Sequence, residues 1–410
     1  MMNEPKLRFK ADDGNAFPDW EEKTVGDMTV ELQDYEPLSS GYPLMTSSRT
    51  GLMMQNEFRS KSSTDDSTAI FSVVPRGMAT YRHMSDDDIF HFNINNLVDR
   101  GLVSKEYPVF NTKDNYNLYL LVEYLNSSRN FLNFCKAQKK GGTRTRLYFK
   151  VLKDFKLNMP SFPEQQKIAE FLSTIDTVIA KQKETVSAWE ERKKGVMQKL
   201  FSQEVRFKAD DGSDFPEWEE KSYLSICNVF ADGDWIESKD QSDSGIRLIQ
   251  TGNIGNGVFI DKDDKKKYIS KETFDRLKCN EVFEGDILIS RLPSPAGRAC
   301  IVPKLNERMI TAVDCTIVRT DKSIILHDYC VQFMQSSKHF YYVASMMAGG
   351  TRQRISRKNL EDELISVPCL EEQQKIADCL SSLDEVIEKQ KATLAAWEEL
   401  KKGLLQQMFV

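Results

Sequence analysis

Between residues 168 and 200, apolar side chains recur in alternating steps of four and three. The positions hold Ile168, Leu172, Ile175, Ile179, Val186, Trp189, Val196 and Leu200, with Gln182 and Lys193 as polar interruptions. The pattern returns near the C-terminus as Ile376, Leu380, Leu383, Ile387, Leu394, Trp397, Leu404 and Met408, interrupted by Gln390 and Lys401. Steps averaging three and a half residues keep one stripe of a helix facing a partner helix, as in a coiled coil. Polar residues on such a seam weaken it but fix its alignment. Pro163 suits a first helical turn, and Glu164, Glu371 and Glu372 suit the positive end of the helix dipole. At ~1.5 Å per residue each helix spans roughly 57 Å, and neither can hide its stripe alone. The sequence predicts that the two pack on each other, antiparallel.

The two helices are copies. Residues 164–201 and 372–409 match without a gap at an offset of 208. A box, LRFKADDGNAFPDWEEK from Leu7, recurs as VRFKADDGSDFPEWEEK from Val205. Gly141-Gly142-Thr143-Arg144 recurs as Gly349-Gly350-Thr351-Arg352, and Pro160 as Pro368. The segments between, roughly 24–138 and 222–346, barely resemble each other. A shared frame around dissimilar centres suggests one geometry used twice to read two different things. Since the second box follows the first helix, symmetry places the first box beside the end of the second helix.

Each middle mixes strand and helix signals. Ala69–Val74, Met78–Arg82, Ile246–Gln250, Ile287–Arg291, a strand ending at Val302 and Asp314–Arg319 read as strands. Stretches near 116–137 and 327–347 read as helices. The expected fold class is α+β: two globular domains, residues 1–160 and 204–368, separated by an antiparallel coiled coil of two long helices, 161–203 and 369–410, with pseudo-twofold symmetry. The helix-packing candidates are Ile168, Leu172, Ile175, Ile179, Trp189, Ile376, Leu380, Leu383, Ile387 and Trp397.

Composition narrows the function. Eight cysteines include no Cys-x-x-Cys pair, which argues for reduced thiols and against zinc. No apolar run is long enough to span a bilayer, so a soluble, cytoplasmic protein is expected. A net charge of −6 counts mildly against nucleic acid but says little about local patches. Asp12-Asp13 and Asp210-Asp211 sit beside Gly14 and Gly212 and read as polar turns.

Gripping phosphate requires cations or free N–H groups, and reading a base requires donors and acceptors on a rigid support. The candidate turns in the first middle hold Ser47, Ser48 and Arg49, then Tyr81 and Arg82. Those in the second hold Thr251 and Asn253, then Ser290, Arg291 and Arg298. The repeated Gly142, Thr143, Arg144 and Arg146, with Gly350, Thr351, Arg352 and Arg354, offer N–H groups, a hydroxyl and cations in one turn suited to phosphate. No phosphate-loop, methyltransferase or nuclease motif is present, and no catalytic or metal-ligating residue is assigned.

With these motifs assembled, the duplicated helix opening on E-Q-Q-K-I-A, the G-G-T-R-x-R segment and the R-F-K…F-P-x-W box resemble those of type I restriction–modification specificity subunits. The resemblance covers nearly the whole chain. It implies two target-recognition domains reading the halves of a split DNA sequence, and helices that act as spacer and as dock for two modification subunits. Those partners would carry S-adenosylmethionine, with no cofactor bound by this chain, and restriction subunits would join them. It implies no catalysis by the chain itself. The competing reading is a coiled-coil adaptor that never touches DNA; it explains the helices but not the paired Gly-Gly-Thr-Arg turns.

Overall fold

The computed structural model describes residues 5–55, 69–139, 143–350 and 353–409. The chain divides into two compact units, Met1–Lys183 with Ala392–Val410, and Glu184–Lys391. The long helices, Phe162–Phe201 and Leu370–Met408, each give their first half to one unit and the remainder to the other.

Among the described residues of the first unit, the two larger sheets are antiparallel. One orders Arg100–Ser104, Ile70–Pro75 and Tyr35–Pro37; the other orders Thr29–Leu32, Val109–Thr112, Ala79–Tyr81 and Phe92–Ile94. The predicted helix over 116–137 is two helices, Leu118–Ser127 and Arg129–Ala137. Ser128 makes the break. Its backbone is extended and its hydroxyl accepts the Phe131 N–H, so it ends one helix and caps the next.

The second unit has a four-stranded antiparallel sheet ordered Cys227–Asp232, Cys315–Thr320, Ile287–Ser290 and Ala299–Ile301. A five-stranded mixed sheet carries the parallel pair Ile246–Ile249 and Met309–Thr311. Helices His327–Met334 and Ser337–Ser345 occupy the stretch read as helical. The burial of Ile287, Leu288 and Ile289 between two cores explains why this strand is apolar at every position rather than alternating.

Around these dissimilar centres the same frame is built twice. Glu21–Thr24 pairs antiparallel with Lys156–Met159, and Glu219–Ser222 with Leu364–Val367. Glu164 and Glu372, which the sequence pointed to as partners of the helix dipole, are fully buried. Arg8 Nη2 donates to Glu164 at 2.9 Å and the Trp20 indole at 3.1 Å. Arg206 Nη2 and Trp218 do the same to Glu372 at 2.8 and 2.9 Å. The next residue is buried as well: Gln165 accepts the Asn117 N–H and donates to the Pro160 carbonyl, and Gln373 bonds Leu326 and Pro368 alike. The Glu-Gln pair that opens each E-Q-Q triplet is thus a buried polar joint that fixes the box and globule to the helix start, while the second glutamine, Gln166 or Gln374, is exposed.

Within each unit the two helix segments run antiparallel. In the first, Lys401 meets Asp176 at 2.7 Å and Glu398 meets Lys183 at 2.9 Å. In the second, Lys193 meets Asp384 at 2.7 Å and Glu190 meets Lys391 at 3.0 Å. Ile168, Leu172, Ile175, Ile179, Ile376, Leu380 and Ile387 are buried, while Leu383, Trp189 and Trp397 are half-buried. Ile168 and Leu172 share a core with Leu405, Met408 and Phe409; Ile376 and Leu380 share another with Met197, Leu200 and Phe201. The first box does lie beside the end of the second helix: the Leu7 N–H donates to the Gln407 carbonyl at 3.3 Å, the counterpart of Val205 N–H to the Lys199 carbonyl at 3.3 Å.

The aspartate pairs are turns. Gly14 and Gly212 adopt φ of +85° and +86°, and Asp13 and Asp211 accept the N–H groups of Asn15 and Ser213. Among the described residues no group of three His, Cys, Asp or Glu is placed to hold a metal ion. No described helix is long and apolar enough to cross a membrane. All eight cysteines are free, and burial pushes the thiols of Cys135, Cys227, Cys300 and Cys315 up to about 12.

Candidate nucleic-acid interface

In the first unit the antiparallel hairpin of Met45–Ser48 and Gly51–Met54 turns through Arg49-Thr50. Gly51 has φ +128°, a conformation L side chains rarely adopt. Ser48 Oγ tightens the turn by donating to the Gly51 carbonyl at 2.8 Å and accepting the Thr50 N–H at 3.2 Å. The tip therefore exposes Arg49. Asn93 ties the hairpin down, its amide donating to Ser47 Oγ at 2.8 Å and to the Ser48 carbonyl at 2.9 Å.

The segment from Thr143 onward reaches the same place. Thr145–Arg146 pairs antiparallel with Met84–Ser85, and the Leu147 N–H donates to the His83 carbonyl at 2.8 Å. Three consecutive carboxylates then gather the basic groups. Asp87 takes Arg49 at 2.5 Å, Asp86 takes Arg144 Nε at 2.7 Å, and Asp88 accepts from the Thr145 hydroxyl. The hydrogen bond from Arg49 is the main cause holding the Asp87 carboxyl below its ordinary range. Thus Ser47, Ser48, Arg49 and Arg82, separate in sequence, line one cleft of about 440 Å³ together with His83, Met84 and Glu106, and Arg146 pairs with Met84 on its wall. Arg82 and Arg146 are exposed and make no ion pair with any described residue. His83 is buried, stacked on Tyr148, and burial is the main cause lowering its pKa.

Tyr81 requires a correction. It is fully buried on an inward strand position, with its hydroxyl donating to the Leu147 carbonyl at 3.0 Å. A side chain so enclosed holds the backbone at Leu147 and is not available at the surface.

In the second unit Arg298 is a staple. Its guanidinium donates to the carbonyls of Thr251, Ile254, Leu292 and Pro295 at 2.7–2.9 Å. This joins the Thr251–Asn253 turn to the Pro/Gly loop, but it spends the cation inside the protein. Ser290 and Arg291 are also corrected to the interior, at 0% and 6% exposure. Arg291 donates to the Val313 carbonyl at 2.5 Å and stands 3.5 Å from Asp232. Asn253 is buried too, with its side chain closing its own turn onto Gln250 and Ile260. Apolar neighbours on both sides of these loops draw the polar residues inward, where backbone carbonyls accept from Ser290, Asn253 and Arg291 Nη2, while Arg291 Nε makes no hydrogen bond to a described residue. The Thr251 backbone holds Arg298, so Thr251 contributes structure as well as a hydroxyl at the turn. Arg354 and Gly350 are exposed, and Arg354 lies 3.8 Å from Asp314. Gly142, Thr351 and Arg352 lie outside the described residues.

Docking of the repeated segment is nevertheless the same in both units. The Ile355 N–H donates to the Arg291 carbonyl at 3.1 Å, the counterpart of Leu147 and His83 at the 208-residue offset. The carboxylates Asp86–Asp88 were not foreseen, although the run Ser85-Asp86-Asp87-Asp88 stands plainly in the sequence. Asn93 carried no signal, because only the pairing of its strand brings it beneath the hairpin.

Most of the chain is matched by a known family. Residues 91–187 and 216–396 match the family described as type I restriction modification DNA specificity domain. The chain belongs to this family. Among its specificity-subunit relatives, the type I restriction enzyme MjaVIII specificity subunit of Methanocaldococcus jannaschii is 23% identical over 286 residues, 67% of this chain and 65% of that one. The putative MjaX specificity subunit of the same organism is 24% identical over 304 residues, 71% of this chain and 66% of the other. The chain thus spans about 65% of the length of these relatives. Two solved structures share the fold. The type I restriction–modification S subunit from M. genitalium superposes with a TM-score of 0.51 at 15% identity, covering 100% of this chain and 99% of that one. A chain solved in work on complex assembly and conformational transition of the type I R-M system gives 0.52 at 14%, covering 96% and 98%. The mixed helix and sheet architecture of this family member is therefore that of specificity subunits.

Proposed function

We propose that this chain is the sequence-specific DNA-binding subunit of a type I restriction–modification complex and is itself non-catalytic. Each globule reads one half of a split target. The helix pair holds the two readers a set distance apart and docks two modification subunits, which bring S-adenosylmethionine; restriction subunits join that assembly, in the cytoplasm. The observation that carries this reading is the frame built twice, down to the Arg–Glu–Trp joint, around two unlike centres. Identical supports with different faces suit a protein that must present two recognition surfaces in one geometry. Exposed Arg82, Arg146 and Arg354 support contact with phosphate, whose attraction is independent of sequence.

The test uses the chain together with its modification subunit. Methylation mapping in cells with and without the chain should reveal one bipartite motif with two unlike halves, whereas the chain alone transfers no methyl group. Removing one matched heptad from each helix shortens the pair by roughly 10 Å, so the gap should shrink by about three base pairs. An unchanged gap overturns the spacer role. An adaptor that never touches DNA would show no binding at any salt concentration, whereas a specificity subunit binds in a strongly salt-dependent way.

A further inference from the structure

We infer that Arg49, oriented by Asp87, reads a guanine in the half-site recognised by the first globule; this rests on the DNA-binding reading above and names the base and the device. The starting point is a division of labour. Contacts that any target shares belong to the repeated frame, and contacts that distinguish targets belong to residues present in one unit only. Arg144 and Arg146 stand in the repeated segment. Arg49 and the carboxylates do not: at the 208-residue offset, Ser85 to Asp88 correspond to Pro293, Ser294, Pro295 and Ala296, with no acid among them.

The carboxylates also argue about chemistry. Three acids on a surface meant only to grip phosphate would repel it. Here each acid is matched to a cation, Asp86 to Arg144, Asp87 to Arg49 and Asp88 to Lys139 at 3.6 Å, so the acids are neutralised pair by pair. What such pairs supply is orientation. Asp87 is itself held: Ser85 Oγ donates to its Oδ1 at 2.9 Å, while Arg49 takes Oδ2. Arg49 spends a single terminal nitrogen on this bond. A guanidinium has five N–H groups, so one complete two-donor edge remains, the arrangement that matches guanine O6 and N7. The side chain is 63% exposed at a hairpin tip, beside the Ser47 and Ser48 cleft, and the hairpin is fixed from below by Asn93. A long side chain locked by a carboxylate loses less freedom on binding than a free one.

The experiment measures binding of the complex with its modification subunit to duplexes in which each pair of the mapped target is replaced in turn. Arg49→Ala should lower discrimination at one G·C pair by about tenfold or more, leaving the other half-site intact. Arg49→Lys should restore affinity but not discrimination, since an ammonium has no planar two-donor edge. Asp87→Asn should give a smaller loss at the same pair, and Asp87→Glu should recover part of it. Uniform weakening on every duplex, an effect at an A·T pair, or no change would overturn the inference, the first pointing to phosphate and the last to a surface ion pair. Intact reading of the second half-site shows that the variant has folded. Absence of sequence-specific binding by the wild-type complex would instead count against the proposed function itself.

Discussion

In the first unit the seam lysine Lys401 is held by two carboxylates, Asp176 at 2.7 Å and Glu123 at 2.8 Å, and the Tyr119 hydroxyl donates to Asp176 at 2.5 Å. In the second, its counterpart Lys193 meets one carboxylate, Asp384, while Gln332 donates to that acid and the Gln335 carbonyl oxygen accepts from the lysine. The lysine and the aspartate come from the repeated helices. Glu123, Tyr119, Gln332 and Gln335 come from the unlike globules. A buried lysine requires a partner wherever the frame puts it, and each globule has met that demand with different chemistry. The frame therefore dictates where charge must be compensated, and the centres are free in how they do it.

The largest expected effect tests whether the frame is truly equivalent. Glu164→Ala and Glu372→Ala each remove the buried acceptor shared by an arginine and an indole N–H, the arginine keeping its backbone carbonyls, and each should cost about 3 kcal/mol. Amide exchange should speed up along Glu21–Thr24 for the first and Glu219–Ser222 for the second, by similar factors. Markedly unequal losses would break the equivalence.

A smaller effect should separate the two lysine sites. Burial is the main cause raising the Glu123 carboxyl above its ordinary 4.5, with Lys401 opposing. Between those values the folded chain keeps a proton that the unfolded chain has lost, so stability from this group falls as pH rises through that window. The first unit should therefore lose protection from just above pH 4.5 upward, and Glu123→Gln should flatten the trend. The amides Gln332 and Gln335 do not titrate. A trend of the same size in the second unit, or one unaltered by Glu123→Gln, would remove the distinction.

The smallest effect concerns the half-exposed pairs Lys183–Glu398 and Lys391–Glu190. Surface pairs are worth about 0–1 kcal/mol and weaken with salt. Lys183→Ala and Lys391→Ala should each shift unfolding by less than ~1 kcal/mol, equally in both units. A larger loss in one would mean that its globule leans on the helix pair more heavily.

Much of the scaffold was legible because it was written twice and periodically. The heptad stripe predicted buried Ile168, Leu172, Ile376 and Leu380, and the offsets predicted that the first box lies against the second helix. The binding chemistry was less legible. Arg291 and Arg298 look like contact residues in sequence because a loop with Ser, Pro, Gly and Arg has the composition of a nucleic-acid turn. Their guanidiniums instead satisfy buried carbonyls. Arg49 has no better sequence signal, yet it remains at the surface, paired with Asp87.

The sequence by itself determined the two copies, the helices with their facing stripes, and the class of protein they build. Periodicity and repetition are properties of order along a chain, and they survive without knowing what touches what. Only the tertiary structure decided which basic residues face outward, that the Glu-Gln pair opening each long helix is a buried joint, and that Asp86 and Asp87 pair with Arg144 and Arg49. Burial and pairing depend on which distant strands come side by side, and single residues in unlike loops carry no trace of that in their order.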